Sequence, residues 1–515
     1  MARPNSTPFP SRPYWPFCGH GATQEDPIGC DGILVFDHTA CLAHLADADR
    51  DAYLAGLTPG ADIDHSGTPF TDRLLGALLD ALRDPATGRP CVRDARFDAA
   101  TFQGDAWFDG ATFEGMAEFM GAIFRGDVSF WGATFQGDAR FEQVGFERVA
   151  SLGPLVCTGR VSLSGAVFQG PVDLWFAARR LECRRTRWSS TAEVRLRYAT
   201  VDFAHAVFEY PLTIAAEPVP FVLPDGQPVP EPTFAGTPDA AVRLISLREV
   251  DAAHLVLADV DLSECLFAGT VHLDQLRLEG TCSFNAVPSR THWRRWRPIR
   301  FTQRRTLAEE HHWRASQPEA VRGWNTAAFG AGRVGPAQLA PVYRALRKAF
   351  EDGKNEPGAA DFYYGEMEMR RHDRTGTNRA ERSLLHGYWM LSGYGLRASR
   401  ALGWLAAAML ITVLLLMAFG LPQNDPKQEA TGTVPPRGGK VTFEIDKDDL
   451  RNPTGNRLTG KRFEKALNAT LNSVVFRSSG QDLTTAGTYI EMTSRAIEPV
   501  LLGLAVLAVR NRVKR

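Results

Sequence analysis

Phenylalanine recurs in the first third of the chain with steps of five and six residues in strict alternation. The rings are Phe97, Phe102, Phe108, Phe113, Phe119, Phe124, Phe130, Phe135, Phe141 and Phe146. Alanine or valine stands two residues before each ring, and glycine stands two residues after most of them. A helix repeats every 3.6 residues and a plain strand every 2, so neither produces these steps. The pattern predicts very short extended segments joined by tight corners.

A segment of five or six residues cannot bury its own ring. Four such segments make one square coil, and stacked coils place ring upon ring along an axis. Successive coils should rise by about 4.8 Å, the spacing of neighbouring strands. Glycine suits the corners because positive φ costs it little. The sequence therefore predicts a solenoid whose core is a set of phenylalanine columns.

This repeat resembles the pentapeptide-repeat family, in its form with alternating five- and six-residue steps. The resemblance implies a mainly β fold, a right-handed quadrilateral β-helix. The pattern weakens after residue 150 and returns as far as Phe284, so we expect the solenoid to span 93–287. A proline-rich stretch at 216–239 predicts a loop that extends away from it.

Three cysteines and a histidine precede the solenoid. Cys18, Cys30, Cys41 and His44 have the ligand types of a Cys₃His zinc site. Cys41 and His44 are three residues apart, which suits one turn at a helix start. The spacing lacks a C-x₂-C pair, so three small buried thiols in a cap remain the alternative. If zinc is bound, its role is structural. The amphipathic run from Phe70 to Leu82 should cover the open end of the solenoid.

A basic linker follows residue 288 and leads into a predicted helical hairpin with its turn at 353–357. Glu366, Glu368 and His372 on its second helix invite a catalytic or metal-binding interpretation, but a solvated helix face is favoured because nothing else in the sequence converges on them. An aromatic and arginine-rich segment then leads to residue 400, where an interfacial helix is expected.

Residues 401–421 contain no charge. At about 1.5 Å per residue they cover about 30 Å, the thickness of a hydrocarbon core. A second apolar run, 489–509, includes Glu491, Arg495 and Glu498, of which Arg495 and Glu498 are spaced to pair. Basic residues flank both runs, so the positive-inside rule predicts two spans in a bacterial plasma membrane with cytoplasmic termini.

Span, amphipathic helix and charged span together resemble the two-span potassium-channel pore module. Arg477, Ser478, Ser479 and Gly480 fall where that family has its filter. They differ from the TVGYG-type run, and an arginine beside a cation filter argues against potassium selectivity. A pore of this kind would also need a homo-oligomer.

These interpretations predict seven segments: a Cys/His cap (1–92), the solenoid with its insertion (93–287), a linker with hairpin and interfacial helix (288–400), a first transmembrane helix (401–421), an extracytoplasmic loop (422–458), a pore-like helix (459–480) and a second transmembrane helix (489–509).

Composition limits the function classes. The chain has 58 basic and 59 acidic residues, and its net charge of −1 gives no polyelectrolyte character for binding nucleic acid. Phosphate-loop, nucleophile-elbow and paired-histidine motifs are absent from the sequence, so no enzyme is predicted. The leading hypothesis is a membrane-anchored interaction or sensory scaffold with a protein partner on the solenoid face. A channel-like protein comes second, and a DNA-mimicking topoisomerase inhibitor third. The one cofactor that the sequence suggests is a structural zinc.

Overall fold

The computed structural model describes residues 13–223, 226–237, 239–288, 292–294, 297–299, 301–318, 320–324, 332, 334–423, 428–432, 443–447, 450, 452–476 and 482–513. The chain divides into two compact units, Met1–Met369 and Arg370–Arg515.

The first unit is a β-solenoid of about eight turns built from parallel strands, which confirms the predicted fold class. Its strands are Ala61–Asp64, Pro69–Phe70, Cys91–Arg96, Thr101–Phe102, Ala106–Trp107, Thr112–Phe113, Ala117–Glu118, Ile123–Phe124, Val128–Ser129, Thr134–Phe135, Ala139–Arg140, Gly145–Phe146, Ala150–Ser162, Val167–Phe168, Val172–Glu182, Arg187–Trp188, Ala192–Arg197, Thr200–Asp202, Val207–Phe208, Leu212–Ala216, Arg243–Ser246, Leu255–Ala258 and Arg277–Glu279. Shorter strand pairs join Asn285–Ala286 to Arg305–Thr306 and His292–Arg294 to Arg297–Ile299.

Aromatic rings stack in columns inside the solenoid. Phe113 lies on Phe135 with 4.7 Å between ring centroids and 3° between ring planes. The longest column contains Phe70, Phe102, Phe124, Phe146, Phe168 and Trp188, with successive centroids 5.3, 4.5, 5.3, 4.8 and 4.3 Å apart. All ten rings of the sequence pattern are buried. The alternating steps therefore place one ring on each side of a coil, directly above the ring of the coil before.

Parallel pairing begins earlier than residue 93. Ala61–Asp64 pairs with Cys91–Arg96, and Pro69–Phe70 pairs with Thr101–Phe102. Phe70 is thus the first ring of the longest column, although the sequence suggested that it belongs to a covering helix. The covering helix begins just after it.

The proline-rich insertion folds back onto the solenoid, contrary to the expected projecting loop. Phe221, Val229 and Phe234 are buried against Val156 and Ala177 of the outer face. The buried side chains of Arg197 and Glu231 form an ion pair at 2.8 Å. Apolar side chains among the prolines explain the difference, because a projecting loop would leave them in water.

The helices of the first unit are α1 (Asp47–Ala55), α2 (Asp72–Ala81), α3 (Ala308–Ala315), α4 (Pro336–Asp352) and α5 (Glu356–His372). The second unit contains α6 (Arg379–Ser392), α7 (Ala398–Leu415, continued by a π-helical turn Leu416–Gly420), α8 (Gly460–Phe476) and α9 (Thr485–Val513). A strand pair, Gln428–Gly432 with Phe443–Lys447, lies in the connection between α7 and α8.

Two caps pack on the solenoid. Helix α2 buries Leu75, Leu78 and Leu79 in the solenoid core. The α4–α5 hairpin packs at the other end, where Phe284 contacts Phe362 with 5.1 Å between centroids. The sequence predicted the first of these caps.

A buried charge network holds the hairpin. Glu310 accepts from Arg304 at 2.5 and 2.7 Å, from Arg314 at 2.7 Å and from the hydroxyl of Tyr343. Burial acts to raise the pKa of Glu310, but the charges of Arg304 and Arg314 outweigh it and lower that pKa. The network makes burial of this carboxylate tolerable because every charge in it is paired.

The interpretation of Glu366 and Glu368 as a solvated face is wrong. Both are buried, and Glu366 accepts from Arg344 at 2.8 Å and from Arg347 at 3.0 Å. Glu368 pairs with Arg314 at 3.3 Å. Arginines of α3 and α4 cover these carboxylates, and the sequence of α5 alone does not indicate such partners.

In the second unit, two helical stretches are long and apolar enough to cross a membrane: Ala398–Gly420 and Thr485–Arg510. They approach closely at Gly420 and Gly487, where a Cβ on Gly487 would lie 2.4 Å from the carbonyl oxygen of Gly420. Arg462 of α8 donates to the carbonyls of Met417, Leu421 and Pro422 at 2.8–2.9 Å. The start of α8 is thereby fixed to the end of α7.

Candidate metal centre

Two cysteines lie on neighbouring arms of a small antiparallel ribbon. Cys18 N–H donates to the carbonyl of Gly32 at 2.8 Å, and Gly19 N–H donates to that of Cys30 at 2.8 Å. Gly29, next to Cys30 on the second arm, has a φ of +61°, and a Cβ there would lie 2.6 Å from the Ala22 nitrogen. A larger residue at position 29 would therefore strain the backbone beside Cys30.

The other two candidate ligands come from one turn. His44 N–H and Leu45 N–H both donate to the carbonyl of Cys41, at 2.9 and 3.0 Å. The turn places Cys41 and His44 on the same side while Leu42 and Leu45 enter the solenoid core. Cys41 is fully buried. The expectation from the three-residue spacing thus has a clear structural counterpart.

The four ligand atoms converge, all within 4.8 Å of one another. The Sγ atoms of Cys30 and Cys41 are 3.7 Å apart, and Nδ1 of His44 lies 3.3 Å from Cys41 Sγ and 3.7 Å from Cys18 Sγ. A tetrahedral ion with bonds of about 2.3 Å to sulfur and about 2.0 Å to nitrogen separates its ligands by about 3.5–3.8 Å. The three separations of 3.3–3.7 Å are close to that geometry, and the group could hold a metal ion.

The thiols are free, and two of them are within hydrogen-bonding distance of each other. A disulfide needs sulfur atoms about 2.0 Å apart, much closer than the 3.7 Å between Cys30 and Cys41. The hydrogen bond from Cys41 lowers the pKa of Cys30 to about 5, and the same hydrogen bond together with burial raises the pKa of Cys41. One thiolate is therefore favoured even before a cation arrives, and thiolate is the form that binds metal.

Two further histidines of the N-terminal segment, His20 and His38, lie outside this group. His20 stacks on His44 with 4.1 Å between centroids and is itself exposed, and His38 does not converge on the thiols. Within the described part of the chain, Cys18, Cys30, Cys41 and His44 are the one set of His, Cys, Asp or Glu side chains placed to hold a metal ion.

The ribbon also completes the first coil. Ile33 N–H donates to the carbonyl of Ser66 at 2.7 Å, and Trp15 Nε1 donates to the carbonyl of Asp31 at 2.7 Å. Ser66 belongs to the coil that starts at Ala61. A metal held by Cys30 would therefore fix the segment that pairs with the open edge of the solenoid.

At the corners, aspartates tie each coil to the next. Asp94, Asp105 and Asp109 each accept from the backbone N–H that lies 22 residues later, at 2.8, 3.0 and 2.9 Å. The fixed offset shows that these corners repeat once per coil. Residues 93–151 match the family model described as pentapeptide repeats, with nine copies. Searches of the curated proteins and of the solved structures gave no significant match.

On one face of the pentapeptide-repeat solenoid the charges form a ladder. Arg96 donates to Glu118 at 2.8 Å, and Glu118 accepts from Arg140 of the following coil at 3.0 Å. Many of the carboxylates between residues 94 and 149 are therefore bonded, either to arginines of this ladder or, at the corners, to backbone N–H groups. Those carboxylates serve coil-to-coil contacts.

Sequence reasoning missed a residue at the C-terminal end of the solenoid. On one side of the solenoid, backbone hydrogen bonds join successive coils: Phe203 N–H donates to the carbonyl of Ser246, and Leu247 N–H donates to that of Leu266. Phe267 comes next on that side, and its N–H donates to the buried carboxylate of Glu309, which also accepts from Ala268 N–H at 3.0 Å. The Glu309 carboxylate therefore accepts hydrogen bonds that the carbonyl groups of a further coil would otherwise accept.

The pore-like residues separate into two groups. Arg477, Ser478, Ser479 and Gly480 lie outside the described residues. Glu491 pairs with Arg495 at 2.6 Å, and Glu498 accepts from Thr412 of α7 at 2.7 Å. The predicted pairing of Arg495 with Glu498 is therefore wrong, because Glu491 offers the better i,i+4 geometry and α7 supplies Glu498 with a hydroxyl.

Proposed function

We propose that this chain is a non-enzymatic interaction scaffold, in which a pentapeptide-repeat solenoid with a zinc-bound cap is anchored to a membrane by α7 and α9. The observation that carries the anchoring is the exposed apolar surface of these two helices. The exposed side chains are Leu402, Trp404, Leu410, Ile411, Leu414, Leu415 and Phe419 on α7, and Tyr489, Met492, Ile497, Val500, Leu502, Val506, Leu507 and Val509 on α9.

Lipid is the environment that suits such a surface. Each large apolar side chain gains about 1.5–3 kcal/mol when it leaves water. Both helices are at least as long as a hydrocarbon core requires, about 20 residues. Basic residues lie at the start of α7, at Arg397 and Arg400, and near the end of α9, at Arg510. The proposed topology therefore has both termini and the solenoid on the cytoplasmic side of a bacterial plasma membrane.

Zinc is the proposed ion for the Cys₃His group. Thiolate and imidazole ligands in a tetrahedral arrangement are the donor set that zinc prefers. Four protein ligands leave no open position, so the proposed role is structural. The zinc would hold the ribbon on the first coil, and a protein partner would bind the lateral surface of the solenoid.

Membrane flotation of the full chain with carbonate extraction tests the anchoring. Wild-type protein is expected to float with lipid and to resist extraction. Leu410→Arg together with Val506→Arg should release it, because each places a charge on an outer face of the helix pair. Val207→Arg is the matched control on an exposed valine of the solenoid and should float like the wild type. Release of the wild-type protein by carbonate would refute the proposal.

A channel-like protein is the second candidate. The observation that favours it is the fixed position of α8, whose Arg462 holds it at the end of α7 before α9 begins. Such a pore would need several copies of the chain. Chemical crosslinking in membranes should then give a defined oligomer, and planar-bilayer recordings should give a conductance. A monomer without conductance would eliminate this candidate.

The DNA-mimic hypothesis receives less support. Carboxylates that accept from backbone N–H groups or pair with arginine offer less negative potential to a DNA-binding protein than free ones. If the hypothesis nonetheless holds, the full chain should inhibit gyrase supercoiling at micromolar concentration. No effect at that concentration would remove it.

A further inference from the structure

Glu498 is the most deeply buried carboxylate among the described residues of the second unit. Its side chain is 1% exposed and lies between α9 and α7. One oxygen, Oε1, is 2.7 Å from the hydroxyl oxygen of Thr412. The other, Oε2, is buried and has no hydrogen-bond partner among the described residues. An ionised carboxylate accepts at both oxygens, so this environment suits it poorly.

In the part of the second unit that the structure describes, the basic residues near Glu498 have other partners or lie far along their helices. Arg495, the nearest basic residue along α9, pairs with Glu491 at 2.6 Å. Arg510 is more than three helical turns further on. Helix α7 carries no ionisable residue between 401 and 420.

The remaining charges of the neighbouring helices are at their far ends. On α8 they are Lys461, Arg462, Glu464 and Lys465, in a first turn and a half that Arg462 fixes to the carbonyls of 417–422, more than one turn beyond Thr412. On α6 the charged or titratable residues are Arg379, Glu381, Arg382 and His386. Glu381 pairs with Arg370, and Arg382 donates to the carbonyl of Asp373. His386 contacts Arg371.

We propose that Glu498 is a proton-binding site within the membrane-embedded helix pair. The inference rests on the proposed function, since lipid around α7 and α9 is what keeps water from the carboxyl group. Burial of an unpaired carboxylate is strongly unfavourable, whereas a protonated one is neutral. The Thr412 hydroxyl donates to Oε1 at 2.7 Å, and a proton on Oε2 makes the carboxyl group neutral, which is less costly to leave without a partner than a charge.

A hydrophobic carbodiimide tests the site, because it reacts with protonated carboxyl groups in apolar surroundings. The carboxyl proton moves to a carbodiimide nitrogen, the carboxylate oxygen bonds to the central carbon, and no group leaves. Full-length protein in liposomes of neutral lipid is treated with dicyclohexylcarbodiimide and examined by peptide mass mapping. We expect one major adduct on Glu498, with a yield that falls as the pH rises.

Glu498→Gln should remove this adduct, whereas Glu491→Gln, the matched control on the same helix, should keep it. An adduct that persists in Glu498→Gln, or that maps to another residue in the wild type, would overturn the proposal. Protection by sodium but not by choline would overturn it in favour of a cation site. Mapping in the wild type decides the question if Glu498→Gln does not fold.

Flotation of the same samples separates the two hypotheses. Wild-type protein that floats but carries no adduct on Glu498 overturns the proton site and leaves the anchoring intact. Wild-type protein that does not float overturns the anchoring, and the proton site with it.

Discussion

Replacing Phe124 by alanine should open a cavity in the longest ring column. Phe124 lies between Phe102, 4.5 Å away, and Phe146, 5.3 Å away, and its side chain is 1% exposed. A buried Phe→Ala change costs about 3–5 kcal/mol, and loss of stacking on two neighbours accounts for about 1–3 kcal/mol of that. The solenoid offers little room to collapse around the cavity, so the upper half of the range is expected.

Phe124→Leu is the matched control. Leucine already occupies column positions in later coils, as at Leu163, which follows Phe141 in the same column. It retains most of the buried area and should cost about 1–1.5 kcal/mol. The difference between the two variants therefore measures the cavity.

Hydrogen exchange of the full chain is the appropriate assay, because each coil of a solenoid contacts only its neighbours and a single unfolding free energy is poorly defined. In Phe124→Ala, exchange at Thr101–Phe102, Ile123–Phe124 and Gly145–Phe146 should accelerate by about 1,000- to 5,000-fold, while Val207–Phe208 should change little. Uniform acceleration along the solenoid, or equal effects of alanine and leucine, would refute the argument from stacked columns.

Three further changes test other parts of the molecule. Metal analysis should find about one zinc per chain. Cys41→Ser should abolish zinc binding, whereas Cys282→Ser, which lies outside the cluster, should retain it. Equal zinc content in both variants would contradict the Cys₃His set. Burial raises the pKa of Glu309 from 4.5 to about 7, so the native state holds this proton more tightly, and stability present below about pH 4.5 should fall by up to about 3 kcal/mol as the pH rises to about 7. Glu309→Gln should remove this pH dependence from hydrogen exchange of the last coils, corrected for the intrinsic exchange rate at each pH, and an unchanged dependence would assign it to another group. Arg185 has a φ of 55° at the corner where Gly165 stands one coil earlier, so Arg185→Gly should raise the local free energy of unfolding, measured by hydrogen exchange, by about 0.5–1 kcal/mol. A lower value would show that contacts of the arginine outweigh its backbone strain.

The fold was predictable because its signal is periodic. Phe113 and Phe135 lie 22 residues apart, and the same offset recurs through the regular coils, so a local count of spacings indicates a long-range contact. In the later coils the spacing between equivalent residues is less regular. The offset falls to 20 between Arg187 and Val207, and the insertion at 216–239 separates two neighbouring coils, which is why the pattern weakens in the sequence although the pairing continues.

The metal-ligating residues were predictable by type, since three cysteines and a histidine within a short segment suggest one site. Their meeting depends on the ribbon hydrogen bonds of Cys18 with Gly32 and on the burial of Leu42 and Leu45, and no short motif encodes these. Glu309 and Glu310 carry even less signal. Both act through partners distant in the sequence, Phe267 and Tyr343, so their roles emerge only when the chain is folded.

The two ends of the solenoid indicate where a partner can bind. Stacked coils leave unpaired backbone groups at their terminal edges, and such edges readily recruit further strands. Here Ile33 N–H fills the first edge at Ser66, and the Glu309 carboxylate fills the last at Phe267. Elongation of the solenoid by another strand or a second copy is blocked at both of these positions. The protein partner that we propose would therefore use the lateral faces, where side chains rather than backbone determine specificity, and substitutions on those faces should alter its binding without altering the fold.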